Sequence, residues 1–553
     1  MEAQPSTAAL SSHAPSATPC NGVESRATGN PSAVSPWCSA LLVLCALALC
    51  VLTVWEGIRV EADRTLPGAL ARHVNGLAVA ISCLSHGHCH GYTSLRSVDQ
   101  ALYDAGLNYG NYIRVGTNLF RDAKLINRAL QQAASIPDPG TAVNSMGPHE
   151  KGLALFYTLS MGIFGIKLSS LFYGFMLVFF ASVGLFALAF YRDHLALANL
   201  VAVCCAMYLI VPVIQGLSPD VNAVHGSRYL PLLGVVPILH LLMLFEHAEI
   251  RLLQVVTAAG QAVVLFFVMF SRLSGVWMVI ALGLWIAGRT VVAMTRRDRR
   301  SAQTMAFRAS LPGAFIGLVL AALIVYPKFA LDPQYLKQDE TEYRTFWHHL
   351  LVAAHFNPER SKVAGVPAYF PGYADQIAYE LFEKEIARRG ESLSQYLMDD
   401  EAGWRQRTTD RKYDYKWGMY EDLVKTIFLR LIAEHPLYVL RSVFFYEPVA
   451  IAQELFTGQF VPSAGGVAVV ATATVICALL LFGSLKVAGS AALAWAGLLF
   501  LTMSFLPALA SGVMPLRLVE TAFLLYAGAS LLGAMFLSRL IRAAIGQFRR
   551  LPT

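Results

Sequence analysis

Apolar runs of membrane-spanning length alternate with short polar stretches along most of the chain. The first occupies residues 38–54 and ends on Trp55. A helix crosses a bilayer with roughly 17–25 apolar residues, and tryptophan favours the interface, so this run predicts a span with its anchor. Further runs lie at 168–190, 195–214, 229–245, 252–270, 274–294, 308–326, 463–485, 488–509 and 516–537. The pattern predicts ten transmembrane helices. The segment 436–456 is aromatic but mixed in polarity, and reads as interfacial instead of spanning.

Two longer stretches lack this pattern: 56–166, and 327–462, which includes the interfacial segment. In the first, Leu102, Leu107, Ile113, Leu119, Leu125, Ile126 and Leu130 recur near helical spacing over 99–132, interrupted by Gly106, Gly110 and Gly116. Residues 136–140 predict a turn, and 147–152 lead into a helix that enters the membrane. Residues 1–36 are rich in Ser, Ala, Pro, Thr and Asn with no apolar period, which predicts a disordered tail. That tail is too long and too weakly basic for a cleaved signal, so the first span reads as an uncleaved anchor. The fold class that follows is an all-α polytopic membrane protein with two mainly helical extracytoplasmic inserts.

Composition agrees. The 553 residues are 56% hydrophobic and only 14% charged, against about 25% charged in soluble domains. The net charge of +7 does not point to nucleic acid, because the basic residues cluster at span ends. Arg296, Arg297, Arg299 and Arg300 with Arg308 form the strongest basic loop, and Arg539, Arg542, Arg549 and Arg550 the second cluster. Both are expected to face the cytoplasm. Ten spans satisfy both clusters, with the termini (1–36 and 539–553) inside and both inserts outside. Among nine cysteines, Cys38, Cys45, Cys50, Cys204, Cys205 and Cys477 lie in or beside apolar runs and read as small apolar residues. Cys83 and Cys89, on the oxidising side, most simply form a disulfide. His86, His88 and His90 keep metal binding open as the other reading there.

Candidate chemistry gathers on the predicted outer side. Glu56, Glu61 and Asp63 form an acidic collar where the first span leaves the lipid. Two readings compete: solvation of a helix end, or a carboxylate awaiting a lipid-borne substrate. Asp220, His225 and Arg228 share one outer loop, Arg272 lies in a short turn, and Arg517 follows the last outer turn. The topology rule disfavours arginine there. Either these side chains make structural ion pairs or snorkel, or their donor forks hold a phosphate. Glu150 opens a helix and is either a cap or a second acid. Trp347-His348-His349, followed by His355 and Asn357-Pro358, is the densest aromatic and polar motif of the second insert. Its plain reading is a packed anchor with satisfied imidazoles. A metal site usually needs three or four ligands, and no strong ligand spacing is present. Tyr413, Tyr415, Trp417 and Tyr420 either stack on sugar rings or form the insert's own core.

The layout resembles the GT-C class of polytopic glycosyltransferases, whose members have an acidic site just after span one and a large outer domain late in the chain. Arg228-Tyr229-Leu230-Pro231 is similar to Arg-Tyr-x-x-Pro stretches in some members. The Trp347-His348 motif resembles one in a set of bacterial membrane proteins with this layout. Where the common signature has adjacent acids, this chain spreads them over Glu56, Glu61 and Asp63. The resemblance implies inverting transfer of a sugar from a polyprenyl-phosphate donor at the outer face of a bacterial inner membrane. Glu61 or Asp63 would be the base, with Glu150 as a further candidate acid. Arg228, Arg272 and Arg517, with Trp347, His348 and His349, would contact the donor. No cofactor is strictly required, and a divalent metal remains compatible. The expected partners are a lipid-linked sugar and membrane lipids, and no nucleic acid. The competing functions are a transporter or flippase of lipid-linked saccharide, and a non-catalytic envelope assembly protein.

Overall fold

The computed structural model describes residues 36–63, 74–87, 89, 92–93, 123–135, 142–143, 151–216, 229–247, 249–272, 275–295, 299–330, 346–365, 375–397, 415–456, 462–482, 496–500, 503 and 515–548. Among them the chain is helical almost throughout. The strands β1 (Tyr92–Thr93) and β2 (Ala142–Val143) form one short antiparallel pair. Residues 1–35 of the expected tail, the helical pattern at 99–122 and most of the run at 488–509 lie outside the described residues, although 496–500 are helical.

Among the described residues, seven helices have the length and apolarity to cross a membrane. They are α1 (Pro36–Asp63), α5 (Ser169–Phe190), α6 (His194–Gly216), α8 (Leu252–Ser271), α10 (Arg299–Ala330), α17 (Ala464–Phe482) and α18 (Pro515–Phe548). Three shorter apolar helices accompany them: α4 (Lys151–Phe164), α7 (Val235–Glu246, entered by a 3-10 turn at Leu230–Gly234) and α9 (Val276–Thr295). The protein is thus a multi-pass integral membrane protein. The runs at 229–245 and 274–294 form these shorter helices, and α4 is an apolar helix inside the first insert. The first helix is longer than its apolar run, so the collar from Trp55 to Asp63 is its last two turns.

Burial orders the helices. In the most apolar stretch of α6, 94% of the residues are buried, against 11% in α10. So α6 is the central post, with α1, α17 and α18 packed on it, and α10 lies at the edge. Small and sulfur-bearing residues allow the close approach; Cys50 of α1 and Cys204 of α6 touch at 3.7 Å.

One polar pair sets the relative height of α5 and α8. Ser182 Oγ donates to Gln261 Oε1 (2.6 Å), and Gln261 Nε2 donates to the Ser182 carbonyl (2.7 Å). At the far end, Phe190 of α5 packs on His240, whose Nε2 bonds the Gln254 carbonyl near the start of α8. The two helices are therefore antiparallel. Gly174 and Ser271 lie about 12 and 15 Å from the Ser182–Gln261 level at 1.5 Å per residue, toward the same end. Helix α4 spans both points. A Cβ at Gly174 would overlap Ser160, and one at Gly152 would overlap the backbone at Phe270 and Ser271. So α4 lies across the ends of α5 and α8 instead of running beside them.

The same end collects most other markers of one face. The end of α1 meets α5, where a Cβ at Gly57 would overlap the Phe172 ring. The start of α17 meets the end of α6, through Gly466 and Leu209. From the first insert, α2 (Val74–His86) packs on α4 and on α3 (Ala123–Ser135). Asn127 Oδ1 of α3 accepts from the Leu168 N–H at the start of α5 (2.9 Å). Cys83 and Cys89 form the expected disulfide.

The second insert has its own core. Helices α11 (Phe346–Ala354), α13 (Asp375–Arg389) and α14 (Trp417–Glu434) bury Leu351, Phe382, Tyr415, Tyr420 and Val424 together, next to the short α12 (Arg360–Ala364). Tyr415 stacks on Tyr420 at 5.0 Å, which assigns these rings to the core reading. Glu385, almost fully buried, ties α13 to Arg430 of α14 at 2.6 Å and also bonds Arg388 and Arg389. Arg388, then Arg430 and Arg389, hold its carboxyl well below the usual range against the opposing effect of burial. After α14 the chain makes α15 (Pro436–Arg441), a widened π turn (Ser442–Tyr446) and α16 (Glu447–Phe456). Phe356, Ala450 and Leu455 join the core of the spans, which docks the insert on the bundle.

The opposite face is closed by ion pairs. Asp193 caps α6 through the Leu195 and Ala196 N–H groups (2.8 and 3.1 Å) and pairs with His247 Nε2 at 2.7 Å. His247 Nδ1 donates to the Met243 carbonyl (2.6 Å). Both partners only accept, so the ring is a doubly protonated cation. Burial pulls its pKa down, but Asp193 and the carbonyl more than offset this, and the net shift is upward. Burial likewise pushes Asp193 up, and its bonds to His247 and the two N–H groups leave it lowered. Arg289 of α9 pairs with Glu246 at 3.3 Å, and Arg542 of α18 donates to the Leu481 carbonyl.

Two outcomes follow. Gly152→Ala will lower the thermal midpoint of the detergent-solubilised protein, because backbone cannot yield as a side chain does; overpacking costs about 1–3 kcal/mol. Gly184→Ala, with nothing within 4 Å of the added carbon, will leave it unchanged or raise it. Second, the His247 contribution is complete below about pH 6.5 and is lost as pH rises through its raised folded pKa. His247→Gln will therefore lower the midpoint more at pH 6 than at pH 9. Equal losses at both pH values would show that the ring is not charged.

Candidate functional site

The face that carries the inserts brings together several of the expected groups. Glu56 is half-buried in the penultimate turns of α1, and Glu61 and Asp63 belong to its last turn. Arg272 caps the C-terminus of α8, its N–H bonding the Val268 carbonyl at 2.9 Å. Arg517 belongs to the first turn of α18. The side chains of Glu61, Asp63 and Arg517, and all of Asp220, His225, Arg228 and Glu150, lie outside the described residues. Their neighbours are informative. Gly152, two residues past Glu150, is in backbone contact with Ser271, next to Arg272. The 3-10 turn that begins two residues past Arg228 packs on α18, the helix of Arg517. Chain segments carrying predicted site residues, at the end of α1, the start of α4, the turn before α7 and the start of α18, thus lie at the same end of the spans as the end of α8, and of these α4 and the turn before α7 touch α8.

Two buried carboxylates are not among the residues singled out from the sequence. Glu447 is 0% exposed and Glu520 2% exposed, on α16 and α18, which pack together. Thr521 beside Glu520 is also buried. Burying a carboxylate is costly unless it is paired or bonded, and an ionisable residue inside a span is a functional candidate by default. The signal for Glu520 was available: it is an acid within the apolar run 516–537. Glu447 gave none, since its segment is mixed in polarity. Ser271, also buried, has a hydroxyl with no hydrogen-bond partner among the described residues.

Trp347, His348 and His349 stand elsewhere, on the first turns of α11 in the insert core. His348 is buried and its Nδ1 meets the Tyr420 hydroxyl at 2.6 Å. The Trp347 ring contacts Phe428 and carries Lys425 at 5.6 Å. His349 packs edge-on against His348. The reason for this placement is Glu421. Its buried carboxylate accepts from the N–H groups of Trp347 (2.8 Å) and His348 (3.1 Å), capping α11 from a neighbouring helix. Burial pushes its pKa up to about 7, against the lowering effect of those two bonds.

A second polar cluster joins the insert to the interfacial segment. Asn357 Nδ2 donates to Ser442 Oγ (3.1 Å), and Ser442 Oγ donates to the Tyr438 carbonyl (2.9 Å). His355 packs on Tyr438, and its Nδ1 donates to the Leu351 carbonyl at 2.7 Å. Burial lowers the His355 pKa to about 4, so the ring is neutral with an acceptor at Nε2. That atom and the Tyr438 hydroxyl are buried with no hydrogen-bond partner among the described residues. Among the described residues no three His, Cys, Asp or Glu side chains are grouped to hold a metal ion.

No protein-family model, no curated protein and no solved structure matches this chain. The functional reading therefore rests on the site alone.

The Glu421 cap makes a prediction. Its folded pKa lies above its unfolded value, so the folded state holds the extra proton between about pH 4.5 and 7, and stability falls as pH rises across that window. Glu421→Gln keeps one acceptor oxygen and will flatten this slope. Glu421→Ala loses both cap bonds and will cost about 1–2 kcal/mol. Thermal midpoints at pH 5 and pH 8 read both effects.

Proposed function

We propose that the protein is a membrane glycosyltransferase that moves a sugar from a polyprenyl-phosphate donor to an envelope acceptor, at the outer face of a bacterial inner membrane. The observation that supports this most is the convergence on one face of an acidic helix end, arginine-bearing segments and two buried carboxylates. Such a site suits an anionic lipid headgroup that arrives laterally from the bilayer. In the reaction a carboxylate, Glu61 or Asp63, takes the proton from the acceptor hydroxyl. The freed oxygen bonds to the anomeric carbon as the bond to the phosphate oxygen breaks, and that oxygen keeps the electron pair. Arg272, with Arg228 and Arg517, neutralises the charge that develops there. Glu150 sits in sequence next to the α4–α8 contact and is the second candidate acid. Buried Glu447 and Glu520 would orient the arginines through charge-assisted bonds.

The test is lipid analysis of a strain lacking the protein, complemented with variants. The deletion will accumulate a polyprenyl-linked sugar and lose a surface glycan. Complementation by a variant without its base will fail, since a positioned base contributes typically 10²–10⁴-fold. Glu61→Gln, Asp63→Asn and Glu520→Gln that insert normally and all restore the glycan would overturn the reading in favour of an assembly protein.

A further inference from the structure

The segment from α15 to α16 presents two opposite faces. Tyr438, Val439 and Ser442 point inward, into the insert core and the Asn357 cluster. Leu437, Leu440, Phe444 and Phe445 point outward and are 67%, 50%, 66% and 60% exposed. In a regular α-helix Phe444 and Phe445 would be followed by a turn that swings back after 3.6 residues. The π turn at Ser442–Tyr446 widens this point, leaving both rings on the outer side while Glu447 is fully buried. Arg441 is exposed among them, where a long cationic side chain reaches a headgroup while its stem covers apolar surface.

What covers this apolar face is decided by where the segment is held. Helix α16 packs on α18, and its Ala450 and Leu455 join the core of the spans. Phe456 is followed after eight Cα steps by Ala464, the first residue of the membrane-length α17. At about 3.6 Å per step this allows at most about 29 Å. The segment is thus tied at its start to α14 of the insert and at its end to the membrane-length helices α17 and α18, with its aromatic side facing away from the protein. An apolar patch of this kind beside a lipid phase partitions into it, because apolar surface leaves water.

We propose that the α15–π–α16 segment is a lipid-immersed strap. Leu437, Leu440, Phe444 and Phe445 insert into the outer leaflet next to α18, and Arg441 lies at headgroup level. By seating there, the strap fixes the height of the insert and holds Glu447 at the membrane surface. This does not depend on sugar transfer and survives its failure.

Spin labelling of the full chain in lipid nanodiscs tests it. Labels are placed by Leu437→Cys, Phe444→Cys and, as an aqueous control on α14, Asp422→Cys, in a background with Cys20, Cys38 and Cys45 changed to serine. At 437 and 444 relaxation by oxygen will be strong and relaxation by a water-soluble nickel chelate will be lost; Asp422→Cys will show the reverse. Nickel access at both 437 and 444 overturns the proposal. So does spin–spin broadening at 444 that disappears on dilution with unlabelled protein, since the face would then be an interface between copies. The two strap positions are independent, so one misfolded variant does not decide the result.

Discussion

The exchange of hydrogen bonds between Ser182 and Gln261 is the constraint on which the arrangement of the spans depends. Each bond alone is modest, about 0.6 to 2 kcal/mol inside a membrane. The alternative is what matters. Sliding α5 against α8 by one turn would leave an amide and a hydroxyl without partners in apolar surroundings, at a cost of about 2–7 kcal/mol for each group. The pair therefore acts as a height gauge. It places Gly174 and Ser271 at one level, and that level is where α4 can lie across both helices. The missing Cβ atoms at Gly57, Gly152 and Gly174 then let α1 and α4 close on the same face.

The second insert shows one side-chain type set to opposite ends of its titration range. Glu385 is held ionised by three arginines; Glu421, also buried, has only two backbone N–H groups and is pushed up to about 7. The first is a permanent charge that ties two helices. The second is a cap whose charge depends on the surroundings. Both carboxylates lie in the insert core, and Glu421 with Tyr420 and Phe428 holds the start of the helix that carries Trp347, His348 and His349.

Much of the membrane part was legible from apolar run length alone, because a bilayer imposes one length scale on every span. α5, α6, α8 and α17 match their runs closely, and α1, α10 and α18 contain theirs and extend beyond them. The Cys83–Cys89 bridge followed from spacing and compartment. Less legible was what depends on distant neighbours. That α4 lies across span ends rests on Gly152 meeting Ser271, more than a hundred residues away. That His348 serves the core rests on Tyr420 and Glu421. Glu447 is conspicuous only once α16 and α18 are seen packed together. Where the arginines of span ends fall along the chain was legible, since it depends on where helices end and not on which of them touch.

The widened turn at Ser442–Tyr446 has a consequence for how this chain tolerates change. A π turn holds one more residue than an α-helical path would. Deleting one residue there would return the turn to regular α winding while α16 keeps close to its present orientation, whereas the same deletion inside α14 or α16 would rotate everything downstream by about 100°. The widened turn is therefore the place in this segment where the loss of one residue is most readily absorbed, and the burial of Glu447 and the route into α17 survive it.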